Sequence, residues 1–227
     1  MSRIQTGVAK GCPGLIQFDL DGTLVNTYEV ILRSMRYTIN ECFGGTYSDE
    51  QLMSEVGIPL ITQLEHYCPE DPQRALQIFR DYQAKLPKEL NTLYQGIEEC
   101  LHQLKAEGYK LAVVTSKHRE AALENLNDTG IMPYFDLVVA ADDVIRAKPD
   151  PYPVIHTAHE LQVPIQQVVY VGDSPFDLQA ANAAGAFSIA VLWGMFGRTA
   201  LEREQPSAFA EHSDELIGLI HQMTGRL

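Results

Sequence analysis

The chain has 227 residues, 45% of them hydrophobic and 21% charged, and a formal net charge of -13. That length holds one large α/β domain or a domain with a second one inserted, and the composition is that of an ordinary globular protein. The acidic balance speaks against a nucleic-acid partner, which needs a basic face, but not against an anionic substrate, because a local cation inverts the field inside a site.

Residues 1–13 have no long apolar core and read as a short, loose arm. The apolar run "LIQFDL" (15–20) follows, with Asp19 and Asp21 at its end before a Gly-Thr turn. It contains two acids and is too short for a signal or membrane segment. Cys12, Cys42, Cys68 and Cys100 show no C-x-x-C spacing, so neither a zinc nor a redox motif is expected. Scattered single cysteines fit a reducing compartment, and the expected location is cytoplasmic.

From Leu24 to about Tyr94 only helical periodicity is found. "YEVILRSMRYTINECFGG" reads as a helix stopped by Gly44 and Gly45. Ser48 with Gln51 forms a capping-box pattern that opens a second helix, and Asp71-Pro72 opens a third. The interval 25–93 is therefore expected to be a helical cap inserted into a core made of 1–24 and 94–227.

After the insert, strands and helices alternate. "KLAVVTS" (110–116), "FDLVVAA" (135–141), "QVVYVGD" (167–173) and "AFSIAVL" (186–192) join 15–20 as five expected strands. They are continuously apolar rather than alternating, which suits a parallel sheet covered on both faces. Ile97, Leu101 and Leu104 form one helical stripe, with Gly108 as its stop, and "HREAALENLNDTG" ends in the same way at Gly130. Two further helices begin near Pro153 and at Pro175. The alternation predicts a right-handed, doubly wound, mostly parallel sheet.

Ligands of such sheets bind beyond the C-terminal strand ends. Asp19, Asp21, Thr115, Ser116, Lys148, Asp173 and Asp177 all fall there. Three or four carboxylates without a His or Cys cluster point to a hard cation with oxygen ligands, Mg²⁺ first. Thr115, Lys148 and the backbone N–H groups of Gly22 and Thr23 suit phosphate oxygens. An Asp is an established phosphoryl acceptor, and a second acid two residues on can handle the leaving group's proton.

"FDLDGTLVNT", "VVTSK", "AKPDP" and "VGDSPFDLQAANAAG" resemble, in this order, the four motifs of the haloacid dehalogenase superfamily over residues 17–185. The resemblance implies a Rossmann-like fold, with Asp19 as nucleophile and Asp21 as general acid/base. It places Thr115 and Lys148 on the phosphate. Asp173 would hold Mg²⁺ with Asp19 and the backbone carbonyl of Asp21, with Asp177 in support. The insert resembles the cap of the phosphoglycolate phosphatase and inorganic pyrophosphatase branches; the motif pattern is closest to the latter. Asn26 stands where many relatives have Asp.

Simpler roles are weighed beside these. Asp21 alone reads as a turn residue, and Lys148 alone as a solvated loop lysine. Asp177 suits a capping box with Ser174 as well as it suits metal support. Ser116 is placed among the substrate-binding residues; Lys117 is read as solvated, or as reaching a second anionic group of the substrate. His156 and His159 read as an exposed helix face, Cys42 and Cys100 as packing residues, and Trp193 and Phe196 as packing. The expected partner is a small phosphorylated molecule, and specificity is expected in "VGIPLITQLEHY" (56–67). Asp21 tells against dehalogenation, since a halide leaves without a proton. A phosphosugar mutase keeps that acid and stays as the alternative to a phosphohydrolase. A non-catalytic phospho-acceptor module would be shorter, with its acids in another order.

Overall fold

A computed structural model describes residues 14–45 and 47–226. The arm expected at 1–13, with Cys12, lies outside the described residues. Six parallel strands form the main sheet: β1 (Leu15–Phe18), β4 (Lys110–Val114), β5 (Leu137–Val139), β6 (Val168–Gly172), β7 (Phe187–Val191) and β8 (Ala208–Ala210), in the order β5-β4-β1-β6-β7-β8. Five are the expected ones. The sixth, β8, pairs through Ala208 with Ile189 at the sheet edge and is too short to leave a pattern in the sequence.

Residue parity decides which face each strand side chain covers. Ile16, Phe18, Leu111, Val113, Val169 and Val171 face one core. There they meet α5 (Ile97–Ala106), α6 (Arg119–Asp128) and α10 (Glu215–Thr224). Leu15, Ala112, Val114, Val168 and Tyr170 face the other, against α7 (Tyr152–Glu160) and α8 (Pro175–Ala184). Both faces are covered, and that is why these strands read as unbroken apolar runs. A short helix, α9 (Arg198–Glu202), leads from β7 toward β8.

The insert is helical with a core of its own. It contains α1 (Tyr28–Phe43), α2 (Asp49–Met53), α3 (Leu60–Tyr67) and α4 (Pro72–Gln83). Met35, Ile39, Leu52, Leu64, Ala75 and Phe79 form a cluster separate from the sheet's. The capping box at Ser48 and Gln51 opens α2, and Asp71 accepts from the Arg74 amide to open α4.

Two expectations are corrected. The second cap helix is divided into α2 and α3, because Gly57 has φ +116 and Pro59 has no N–H to continue the first. The interval also contains strand: β2 (Val25–Asn26) pairs antiparallel with β3 (Thr92–Leu93). This two-rung ribbon joins the cap to the core. Two residues cannot show a period, so it was invisible to a pattern search.

Candidate active site

The C-terminal end of β1 runs directly into the site. Asp19 follows Phe18, and its amide donates to the Val171 carbonyl at 2.9 Å, so the sheet itself holds the residue. The chain then turns: the Leu24 and Val25 amides both donate to the Leu20 carbonyl. Gly22 sits in this turn at φ +82, and a Cβ there would lie 2.2 Å from the Asp173 carboxylate. Glycine is required by both conformation and space. The Gly22 amide donates to the Val25 carbonyl at 2.9 Å, which corrects the expectation that it faces a phosphate. Thr23 is fully buried and donates its hydroxyl to Asp173 at 3.0 Å. Trp193 donates its ring N–H to the Thr23 carbonyl and braces the turn from behind.

Asp173, after β6, is held from both sides. Its second oxygen accepts the Met195 amide at 2.7 Å. Gly194 passes so close that a Cβ would meet the Asp173 Cβ at 2.3 Å. The loop after β7 thus contributes an amide that no motif marks.

Lys148 is 2% exposed and sits at the centre of the buried polar groups. Its Nζ lies 2.9 Å from Asp19 Oδ1 and 2.6 Å from Asp177 Oδ1, with the Val114 carbonyl and the Tyr170 hydroxyl at 3.2 and 3.1 Å. It is not a solvated lysine. Tyr170 was not among the expected residues, since in sequence it is only one more apolar member of a strand. Its hydroxyl donates to the Val114 carbonyl at 2.8 Å and lies 3.1 Å from Asp177.

Asp177 combines its two readings. Its Oδ2 accepts both the amide and the hydroxyl of Ser174, and its own amide donates back to that hydroxyl, a complete capping box. Its Oδ1 takes Lys148. With these donors in place the carboxylate has little capacity left for a direct metal bond. It acts on the cluster through Lys148.

Asp21 is placed differently from the other acids. Its Oδ1 accepts from Thr27 and from Lys117, both at 2.7 Å. Lys117 is largely buried in this pair, which corrects the reading of it as solvated. Ser116 donates its hydroxyl to the Gly57 carbonyl at 2.6 Å, tying the core to the loop between α2 and α3. That hydroxyl is spent on the cap, not aimed at a phosphate. Thr115 is buried and accepts the Lys117 amide at 3.1 Å. His156 stacks on Tyr152, and His159 is exposed beside Glu160.

The electrostatics call for a cation. Asp19, Asp173 and Asp177 bring carboxylate oxygens within 4.8 Å of one another, all buried. One buried ammonium, Lys148, faces them, so with all three acids ionised two negative charges would lack a partner. Burial pushes Asp19 up to about 7 against the pull of Lys148, with Asp177 and Asp21 adding to the rise. Burial, then Asp177 and Asp19, hold Asp173 well above the usual carboxylate range. Burial works against the charge on Lys148, yet Asp177 and Asp19 outweigh it and raise its pKa. An all-oxygen, doubly negative cluster fits a hard divalent ion. Asp19, Asp21, Thr115, Ser116, Lys117 and Asp173 line one cavity of about 530 Å³ between core and cap. No helix among the described residues is long and apolar enough to cross a membrane.

Comparison with known proteins agrees with this geometry. A protein of Caldanaerobacter subterraneus subsp. tengcongensis, provisionally named pyrophosphatase PpaX, is 35% identical over 205 residues, covering 90% of this chain and 93% of its own. Pyrophosphatase PpaX of Bacillus pumilus is 32% identical over 205 residues, covering 90% and 95%. The crystal structure of a "predicted phosphoglycolate phosphatase" from Haemophilus somnus superposes with a TM-score of 0.80 at 24% identity, covering 91% of this chain and 97% of that one, which shows a shared fold. Residues 16–191 match the haloacid dehalogenase-like hydrolase family. The chain belongs to that family and is a hydrolase of its phosphatase type.

Proposed function

We propose that the chain is a Mg²⁺-dependent phosphohydrolase that transfers the phosphoryl group of a small phosphate monoester or of pyrophosphate to water through an aspartyl-phosphate on Asp19. The carrying observation is the buried three-carboxylate cluster with a single ammonium, opening on a cavity at Asp19. A bound Mg²⁺, held by Asp19, Asp173 and the backbone carbonyl of Asp21, would neutralise charge on the phosphoryl oxygens.

The residues divide the remaining work. Lys148 fixes Asp19 Oδ1, and among the described residues no donor occupies the other oxygen, which is the one free to attack phosphorus. As the Asp19–phosphorus bond forms, the bond to the leaving oxygen breaks and Asp21 supplies that oxygen's proton. Water then attacks the phosphorus of the acyl phosphate, Asp21 takes up its proton, and Asp19 returns as a carboxylate. Donation requires the Lys117–Asp21 pair to open when substrate enters. Thr115, whose hydroxyl proton is not used by another partner among the described residues, would donate to the transferred group, while Lys148, with its N–H groups shared among Asp19, Asp177, the Val114 carbonyl and the Tyr170 hydroxyl, acts on it through Asp19. The names of the relatives at 35% and 32% identity support a phosphoanhydride as one substrate.

Phosphate release in labelled water tests this reading. One solvent oxygen in each released phosphate, with full dependence on Mg²⁺, is the expected result. Turnover in excess chelator would overturn the metal role, and conversion of a sugar phosphate to its isomer without release would establish the mutase instead.

A further inference from the structure

The cavity is much larger than the transferred group needs, and its far wall has the wrong chemistry for a second phosphate alone. On the cap side Ile58, Leu60, Ile61, Leu76 and Phe79, from the loop before α3, from α3 and from α4, line it together with neutral polar side chains of the same helices, among them Thr62 and Gln73. Among the cap residues lining it, Arg80 is the one that carries a charge. On the core side, Ile145 stands at the same cavity and is 81% exposed, the most exposed large apolar side chain among the described residues. It follows Val144 in the loop that delivers Lys148, so this apolar rim is joined to the phosphate site by the backbone.

A dianionic leaving phosphate is held by converging charged donors. Beyond the phosphoryl site the cations do not converge: Lys117 is released only when its pair with Asp21 opens, His118 faces Asp142 at 3.1 Å, and Arg80 is the single charged side chain of the cap wall. A cavity of about 530 Å³ has the size of those that enclose an organic ligand, and walls of this kind recognise apolar groups.

We infer that the preferred leaving group is an alcohol with a sizeable apolar body, so that the chain is an organic phosphate monoesterase whose cap binds hydrocarbon. This rests on the phosphohydrolase reading above and sharpens its substrate class. The phosphoryl group sits at Asp19, and the apolar body lies between Ile145 and the wall formed by α3 and α4. The reaction remains hydrolysis of one P–O bond, with water supplying the new oxygen and the alcohol leaving with a proton.

The test is a homologous series. Phosphate release is measured with Mg²⁺ from ethyl, butyl and hexyl phosphate, whose P–O bonds have the same intrinsic reactivity, and from pyrophosphate. Each methylene taken out of water is worth about a threefold to fourfold gain. The expected rise in kcat/KM from ethyl to hexyl is therefore on the order of 10²-fold. Ile145→Asp, at a position exposed enough to leave folding undisturbed, is expected to cut the hexyl-to-ethyl ratio by about tenfold, and Leu76→Gln to do the same from the cap. Hexylphosphonate should inhibit more strongly than methylphosphonate. A flat or falling series, with pyrophosphate still hydrolysed, would overturn this inference and leave the phosphohydrolase reading standing. No release from any of the four would overturn that reading as well.

Discussion

The two sides of the cavity are built on opposite physical terms. On the core side almost every polar atom has a fixed partner. Asp173 is held by Thr23 and Met195, Asp177 by Ser174 and Lys148, and Asp19 by Lys148. Such a cluster has one arrangement, and removing any member leaves another buried and unpaired. On the cap side the wall is mainly apolar, with Arg80 as its one charged side chain, and it is joined to the core by a two-rung ribbon and the Ser116–Gly57 hydrogen bond. The difference teaches where chemistry and choice reside. In the proposed reading the rigid polar cluster recognises the one group that never changes, the phosphoryl. A non-directional wall tolerates variation in the rest.

The most severe break is Asp19→Asn. Loss of a covalent nucleophile is expected to lower kcat by at least about 10⁴-fold, measured as steady-state phosphate release. A variant that kept a tenth of the activity would remove Asp19 from that role. Lys148→Met comes next. It strips the buried carboxylates of their cation, and an unpaired buried charge costs about 3–5 kcal/mol. Urea unfolding at pH 7.5 should show the loss, and the loss should shrink at pH 5, where the acids take up protons. A change below about 0.5 kcal/mol would mean the cluster is solvated rather than buried.

Asp21→Asn is expected to slow alkyl phosphates by about 10²–10⁴-fold and aryl phosphates much less, because an aryl oxide leaves without help. Equal losses on both would reduce Asp21 to holding the turn and Lys117. A milder effect follows from the raised carboxyls. Without metal, the folded chain keeps a proton on Asp19 that the unfolded chain releases above about pH 4. Stability from this group is therefore complete below that pH and lost as the pH rises through about 7. A cation bound there relieves the penalty, so the rise in Tm on adding Mg²⁺ should be larger at pH 8 than at pH 5, and Asp19→Asn should flatten that difference. An equal rise at both would show binding elsewhere. The smallest effects belong to the cap: substitutions at Ile58, Leu60 or Ile61 should change relative kcat/KM among substrates by about 3–10-fold while leaving the Mg²⁺ requirement as it is. If Trp193 or Phe196 reordered the substrates instead, the choice would lie on the core.

Much of this was legible in the sequence, because local physics wrote it there. A strand buried on both faces must be apolar throughout, so five of the six strands stood out. The capping boxes at Ser48–Gln51 and Ser174–Asp177 are contacts over three residues, and both formed as expected. The acids and hydroxyls of the site fall where apolar runs stop, since a parallel sheet exposes its C-terminal strand ends. Other features had no local signature. The edge strand β8 and the ribbon of β2 and β3 are too short to carry a period.

Only the tertiary structure could decide the partners. Tyr170 reads as a core residue until the fold brings Lys148, 22 positions away, to its hydroxyl. Gly22 was expected to face a phosphate because its turn suggests it, but the turn uses that amide for Val25. Ser116 and Lys117 were placed at the substrate by position, and the fold gives one to Gly57 and the other to Asp21, over separations of 59 and 96 residues. The sequence by itself determined which residue types stand at the strand ends, because burial and hydrogen bonding along the chain constrain them one by one. Which carboxylate meets which ammonium, and how much apolar wall faces them, is a property of three-dimensional packing, in which residues far apart in the chain share one desolvated volume.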